Sequence, residues 1–338
     1  MITPDSTILD IKRNEILSSI FPYFIFNKSG SSSGNILDDS VTLIDIERKN
    51  RTWSADDMAF GLNTLIDQNS HKIAYKVYSE SEISVSPDKD DVLLFYFKAD
   101  EDTKKNRTLI LAAGGAYGAV CSLVEAFPSA ASFSKMGIDT FCLNYRVGAP
   151  APLFPKPMED MAAAVRYLTE HSQELGINMD NYAAGGFSAG GHLASCFGLK
   201  TTGYLRYQVP RPTLLILNYP LIDIWGNISP LHEPIRSVML GGYLGENYSK
   251  EKADEYNASL LVDSSYPSCF IAHAKDDTTV PIALTDTFVK NLEVHEIPVE
   301  FFKAESGGHG YGLGSWCEAR GWTEHAVAFW GRIVNERK

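Results

Sequence analysis

Cysteine is scarce in this chain, and no two cysteines lie close together. The 338 residues include five, Cys121, Cys142, Cys196, Cys269 and Cys317. An odd number of widely spaced cysteines without a C-x-x-C pair argues against a disulfide framework and against a zinc site. The histidines also lack the H-x-x-x-H spacing of a helical metal site, so nothing indicates a metal hydrolase. We therefore expect no cofactor and no metal.

Long apolar runs and excess basic charge are also missing. No stretch approaches the roughly 18–20 apolar residues of a membrane span, and the N-terminus lacks the apolar segment of a signal peptide. Lys and Arg number 30 against 42 Asp and Glu, a net charge of −12, whereas a nucleic-acid surface needs a basic stripe. We expect a cytoplasmic protein that binds neither membranes nor nucleic acids.

From about residue 71 the chain alternates short β-rich runs with helical stretches. The middle runs are almost continuously apolar, as in parallel strands covered on both faces. Strands that alternate with helices predict a mostly parallel sheet. The polar links between the first three strands are too short for crossover helices, which predicts an antiparallel leading edge. The predicted strands are 72–78, 92–97, 108–113, 139–145, 182–187, 213–219, 268–274 and 299–303, and the predicted helices are 157–175, 188–199, 282–295 and 322–338.

Residues 1–70 do not follow this alternation. They contain an apolar helix predicted over 8–20, an aromatic run, a loop SGSSSG at 29–34, and a helix that begins after Ser54. Ser54 followed three residues later by Asp57 is typical of a capping box. We predict an N-terminal helical extension packed on a single main domain of residues 71–338. It serves as a scaffold, as a wall of the substrate pocket, or as an interface in a homo-oligomer.

The segment Gly186-Phe-Ser-Ala-Gly190 lies between a predicted strand and a predicted helix. A sharp strand-to-helix turn strains the residue at its tip, and flanking glycines avoid collisions between Cβ atoms. This turn would raise the hydroxyl of Ser188 above the sheet. Because a serine hydroxyl is a weak nucleophile, it needs a base that is oriented by a third group.

Both partners are available at the ends of later strands. Asp276 and Asp277 directly follow the seventh predicted strand, and His309 stands among glycines after the eighth. The chain order serine, acid, histidine is the one this kind of turn requires. We therefore expect His309 to be the general base, with one of the two aspartates orienting it.

Acyl transfer also needs donors for the oxyanion. The N–H of Ala189, directly after the serine, is one candidate. The glycine-rich stretch AAGGAYG at 112–118 follows the third strand, where Gly115 or Ala116 would supply the second N–H.

These motifs resemble the α/β-hydrolase superfamily, and more narrowly the bacterial carboxylesterases of the acetylxylan- and feruloyl-esterase type. The resemblance extends over about residues 71–338. It implies an α/β-hydrolase fold, with a mostly parallel eight-stranded sheet and helices on both faces. It also implies that Asp277, in a D-x-x-V-P pattern, is the acid. Two positions depart from the family pattern, since Ala113 replaces its usual His or Pro and Ala116 its third glycine. The resembling segments are GGAYG, LNYRV, GGFSAGGHLA, LNYPLID, HAKDDTTVP and GGHGYGLG.

The predicted activity is hydrolysis of short-chain acyl esters, and the resemblance implies a small-molecule ester of a sugar or oligosaccharide as substrate. The short segment between the sixth strand and the acid leaves no room for a large lid, so we expect an open pocket. An amide hydrolase resembling kynurenine formamidase, an exopeptidase and an inactive binding protein remain alternatives. The aromatic residues expected to bind substrate are Tyr117, Trp225, Tyr311 and Trp316.

Overall fold

The near-continuous apolar runs form one eight-stranded sheet. In the computed structural model, residues 1–28, 36–68, 70–148 and 150–336 are described, and the loop predicted at 29–34 lies outside them. The strand order is β1-β2-β4-β3-β5-β6-β7-β8. The strands are β1 Ala74–Lys76, β2 Leu93–Phe97, β3 Thr108–Ala112, β4 Asp139–Asn144, β5 Ala183–Phe187, β6 Leu214–Asn218, β7 Ser268–Ala274 and β8 Val299–Ala304.

The predicted direction of the strands is confirmed. β2 is antiparallel to β1 and to β4, and the remaining pairs are parallel. The carboxyl ends of the central strands therefore share one edge, where ligands bind in open α/β sheets.

Fifteen α-helices lie within the described residues, and none of them is long and apolar enough to cross a membrane. They cover the sheet on both faces, as the predicted fold class requires, with α6 packed on α15 and α7 packed on α9. The helices are α1 Ile8–Lys12, α2 Glu15–Ile20, α3 Leu43–Lys49, α4 Ala55–Asp67, α5 Glu80–Val85, α6 Ala126–Lys135, α7 Lys156–Glu170, α8 Ser172–Leu175, α9 Ala189–Phe197, α10 Ile224–Ile228, α11 Ile235–Leu244, α12 Lys250–Asp254, α13 Ala258–Leu261, α14 Ile282–Val294 and α15 Trp322–Glu336.

Several helix predictions were wrong in their bounds. The single helix expected over 8–20 is two helices, because the Asn14 side chain accepts the N–H groups of Ile16 and Leu17 and starts α2 there. The helix expected over 157–175 likewise breaks at His171. Helix α6 was not predicted, since Pro128 in its first turn and its serines weaken the helical pattern.

The extension packs on the main domain at two places. Helix α4 packs on α6 so closely that a Cβ at Gly61 would lie 2.9 Å from the nitrogen of Pro128. Phe26 forms an isolated β-bridge with Val120, with N···O distances of 3.0 and 2.8 Å. This bridge ties the extension to the chain that follows the glycine-rich stretch at 112–118.

The capping box predicted for α4 is half formed. The Ser54 hydroxyl accepts the Asp57 N–H at 3.1 Å, as expected. The Asp57 carboxylate, however, accepts the hydroxyl of Ser315 instead of returning to the Ser54 backbone. The extension thus reaches the loop that follows β8.

Candidate active site

Ser188 stands at the turn between β5 and α9 in a strained backbone conformation. Its φ is 50° and its ψ is −116°, a region that non-glycine residues rarely occupy. The turn requires glycine on both sides. A Cβ at Gly186 would lie 2.4 Å from the carbonyl carbon of Gly190, and one at Gly190 would lie 2.1 Å from the oxygen of Ala112.

The structure brings the predicted base against this hydroxyl. His309 Nε2 lies 2.9 Å from Ser188 Oγ, and His309 Nδ1 lies 2.7 Å from Asp277 Oδ2. An ionised Asp277 accepts a hydrogen bond from the Nδ1–H group of His309, so the Nε2 lone pair faces Ser188 and can accept the serine proton.

The two neighbouring aspartates have different partners. Asp277 contacts His309 and also accepts the backbone N–H groups of Thr279 and Val280 at 2.8 and 2.9 Å. Asp276 instead accepts the N–H groups of Gly307 and Gly308. Asp276 therefore shapes the loop that carries His309, while Asp277 orients its ring.

The carboxylate of Asp277 is held ionised by its surroundings. Burial opposes ionisation, but hydrogen bonds from His273 and His309 and the charge of His309 outweigh burial and hold the pKa of Asp277 well below its usual range. A permanently ionised acid stabilises the imidazolium that forms when the base takes a proton.

His273 is a site residue that the sequence analysis did not identify. It is fully buried, and its Nε2 lies 3.0 Å from Asp277 Oδ2 while its Nδ1 lies 3.0 Å from Thr285 Oγ1. Its position at the end of β7, four residues before Asp277, was the available signal.

The stretch after β3 forms a tight loop with left-handed backbone. Gly115, Ala116 and Tyr117 have φ values of 132°, 50° and 54°. The N–H of Gly114 donates to the Glu125 carboxylate at 2.5 Å, so this N–H is already occupied within the protein. The carbonyl of Ala116 accepts the Tyr243 hydroxyl at 2.7 Å, which holds the loop.

Of the four aromatic residues expected to bind substrate, two line cavities. Tyr117 lines an apolar pocket of about 390 Å³ together with Leu153, Val238 and Met239. Trp316, 43% exposed, lines a second cavity of about 500 Å³ beside the histidine loop.

The other two are packed differently from what was expected. Tyr311 is buried, and its hydroxyl donates to Asn218 Oδ1 at 2.5 Å; its role as a substrate contact stays a prediction. Its ring packs on Tyr219 beneath His309. Trp225 is partly buried in α10 against the core.

His192, one turn into α9, belongs to the interior. Its Nδ1 lies 2.7 Å from the Tyr117 hydroxyl, and its Nε2 lies 2.9 Å from the carbonyl of Tyr256. Burial lowers its pKa to about 4, so the ring is neutral at pH 7. Among the described residues, no cluster of three or more His, Cys, Asp or Glu side chains could hold a metal.

The sheet and its turn define the protein as an α/β-hydrolase. The BD-FAE family model matches residues 94–292, more than half of the chain. The chain therefore belongs to the BD-FAE family.

The chain is similar to several ester and xylan hydrolases. An endo-1,4-beta-xylanase B from Butyrivibrio fibrisolvens is 26% identical over 68% of this chain, and an acetylxylan esterase from Xylanibacter ruminicola is 28% identical over 64%. The chain spans only 36% and 43% of the lengths of these two relatives. A solved acetyl ester-xyloside bifunctional hydrolase from Caldicellulosiruptor lactoaceticus is 27% identical with a TM-score of 0.63, over 77% of this chain and 96% of its own.

Proposed function

We propose that the protein is a serine carboxylesterase that works through an acyl-enzyme on Ser188. The observation that carries the proposal is the hydrogen-bonded chain from Ser188 Oγ to His309 Nε2, at 2.9 Å, and from His309 Nδ1 to Asp277 Oδ2, at 2.7 Å. Such a chain supplies both activation of the hydroxyl and stabilisation of the resulting imidazolium.

The reaction has two acyl-transfer steps. Ser188 Oγ attacks the ester carbonyl while His309 takes its proton, and the imidazolium then protonates the departing alcohol oxygen. His309 next deprotonates a water that attacks the acyl-enzyme, which releases the carboxylic acid and restores Ser188. Asp277 keeps the imidazole in the required tautomer throughout.

The oxyanion of each tetrahedral intermediate accepts hydrogen bonds from backbone N–H groups. Ala189 at the start of α9 is one donor, and its helix N-terminus adds a favourable dipole. Gly115 or Ala116 is the second donor, because the Gly114 N–H is already bonded to Glu125.

The proposed substrates are short-chain acyl esters of a sugar or oligosaccharide. The pocket of about 390 Å³ beside Ala116 and Tyr117 is of a size for a small apolar group. The exposed ring of Trp316 next to the histidine loop suits a sugar, whose apolar face packs on aromatic rings. The names of the relatives, acetylxylan esterase and acetyl ester-xyloside hydrolase, support the same class.

A substrate screen tests this function. Purified protein is assayed on p-nitrophenyl esters from acetyl to decanoyl, on acetylated xylo-oligosaccharides, and on matched amides and aminoacyl anilides, with Ser188→Ala as the blank. We expect the highest kcat/KM for acetyl to butyryl esters and release of acetate from the oligosaccharides. A kcat/KM that rises steadily to decanoyl contradicts the short-acyl preference, and turnover of amides alone contradicts the esterase.

We also propose that the N-terminal extension, residues 1–70, supports the loops of this site. A Cβ at Gly308 would lie 3.2 Å from Thr52 Cγ2, and one at Gly310 would lie 3.5 Å from the indole nitrogen of Trp53. The chain that precedes α4 thus borders the histidine loop, while Phe26 pairs with Val120 after the oxyanion loop. Contacts with both loops support a role in holding them in register.

A further inference from the structure

Glu125 is a buried carboxylate that the proposed mechanism does not use. It stands at the start of α6, behind the oxyanion loop, and is 4% exposed. Its Oε2 accepts the N–H of Gly114 at 2.5 Å, and its Oε1 accepts the hydroxyl of Tyr219 at 3.0 Å. A buried carboxylate is costly unless its oxygens are bonded, and both oxygens of Glu125 are bonded to groups next to the proposed active site.

Both hydrogen bonds of Glu125 are of the kind that a carboxylate accepts. The Tyr219 hydroxyl donates to Glu125 Oε1 at 3.0 Å, while its oxygen accepts the N–H of Gly312 at 3.0 Å. Both carboxylate oxygens therefore act as acceptors. Burial raises the pKa of Glu125, while the Gly114 N–H, the charge of His309 and the Tyr219 hydroxyl oppose the rise.

Both partners of Glu125 touch groups of the proposed active site. Gly114 lies between the Glu125 carboxylate and Ser188. A Cβ added to Gly114 would lie 2.8 Å from Ser188 Cβ and 3.1 Å from Glu125 Oε2. The ring of Tyr219 lies 4.9 Å from the His309 ring, centroid to centroid, at a backbone φ of 36°. The carboxylate thus reaches the oxyanion loop on one side and the base on the other.

We propose that Glu125 is a positioning residue for acyl transfer, which fixes the oxyanion loop through Gly114 and stabilises the His309 imidazolium with its negative charge and through Tyr219. It touches neither substrate nor reacting atoms. The inference rests on the proposed function, because both effects matter only if Ser188 and His309 carry out the reaction.

The charge effect has a defined sign. The titratable groups that face Glu125 are His309 from the loop after β8, Tyr219 after β6, Tyr145 after β4 and Cys121 from its own segment. Of these, His309 is the one that becomes cationic. Removal of the Glu125 charge therefore disfavours the imidazolium and moves the acid limb of the pH–rate profile to lower pH.

The test compares Glu125→Gln with the wild type, with Glu101→Gln as the matched change on an exposed carboxylate. The readouts are the rate of Ser188 labelling by a fluorophosphonate from pH 5 to 9, and kcat and KM for p-nitrophenyl acetate. For Glu125→Gln we expect labelling and kcat to fall about 10- to 100-fold with KM within about 3-fold. The midpoint of the acid limb should move to lower pH. Glu101→Gln should match the wild type.

Tyr219→Phe keeps the test decisive if Glu125→Gln does not fold. Tyr219→Phe retains the ring against His309 and removes only the hydroxyl, so its acid limb should shift in the same direction. In the double variant of Glu125→Gln and Tyr219→Phe, the loss of activation free energy should be smaller than the sum of the losses in the two single variants. Wild-type rates and an unchanged acid limb in folded Glu125→Gln, or in Tyr219→Phe, overturn the inference while leaving the esterase intact. A wild-type protein whose Ser188 is not labelled overturns the proposed function, and the inference with it.

Discussion

Asp57 of helix α4 accepts a hydrogen bond from the hydroxyl of Ser315, six residues beyond His309. This contact joins the N-terminal extension to the loop that carries the proposed base. Burial raises the pKa of Asp57, and the hydrogen bonds from Ser315 oppose the rise. A buried carboxylate with one defined partner across 258 residues of sequence can be tested by a single substitution.

The substitution Asp57→Ala should lower activity more than the same substitution at the neighbouring Asp56. Loss of the Ser315 contact loosens the histidine loop, so we expect kcat/KM for p-nitrophenyl acetate to fall about 10-fold or more. Stability should fall by about 1–3 kcal/mol, because the Ser315 hydroxyl is left without its acceptor. The control is Asp56→Ala, an exposed position of the same helix turn. Equal kcat/KM in the two variants speaks against an active-site role of the extension.

Substitution by Asn should lower kcat far more at one of the two adjacent aspartates than at the other. Asp277→Asn alters the histidine tautomer and should lower kcat by about 10⁴-fold. Asp276→Asn keeps the oxygen that accepts the Gly307 and Gly308 N–H groups, so its kcat should stay within about 10-fold of wild type. Steady-state kinetics on one ester decides between them. The reverse order would assign the orienting acid to Asp276.

Much of the fold, and less of the site, could be predicted from the sequence. The strands lie within two residues of the predicted bounds because continuous apolar runs ended by polar turns carry a strong local signal. The positions of Ser188 and His309 followed from glycine patterns that a sharp turn and a tight loop demand.

The remaining features depend on partners distant in sequence. Asp57 was predicted to close a capping box, yet its partner is 258 residues away. Glu125 directly precedes a helix that was not predicted, and the pairing of His273 with Asp277 needs β7 and its loop in place. Tyr311 was predicted to contact substrate, whereas its ring packs on Tyr219 and its hydroxyl donates to Asn218.

Ala116 offers a test of backbone strain in the oxyanion loop. Its φ of 50° costs an L-residue about 1–2 kcal/mol, while glycine adds about 0.5–1 kcal/mol of unfolded-state entropy. Ala116→Gly should therefore raise the free energy of unfolding by up to about 1 kcal/mol. Ala113→Gly, in the same loop but without a positive φ, should lower it by about 1 kcal/mol. Denaturant unfolding of both variants is the measurement, and equal destabilisation argues against strain at Ala116.

The buried His192 should make stability depend on pH. Burial lowers its pKa from 6.5 to about 4, so the unfolded chain binds this proton more tightly than the folded protein does. The stability that neutral His192 contributes is fully present above about pH 6.5. As the pH falls toward 4, this contribution is lost, and the free energy of unfolding decreases by up to about 3 kcal/mol. His192→Gln should flatten the slope of unfolding free energy between pH 7 and 5, and the exposed His232→Gln should not. An unchanged slope in His192→Gln contradicts this origin.

Covalent capture tests whether Ser188 forms the acyl-enzyme. The full chain is treated with a fluorophosphonate at pH 7.5, and the modified residue is identified by intact mass and peptide mapping. We expect one adduct per chain, on Ser188, with none in Ser188→Ala and a kcat lower by about 10⁶-fold in that variant. An adduct on another residue, or Ser188→Ala that still turns over ester at a near wild-type rate, would contradict this expectation.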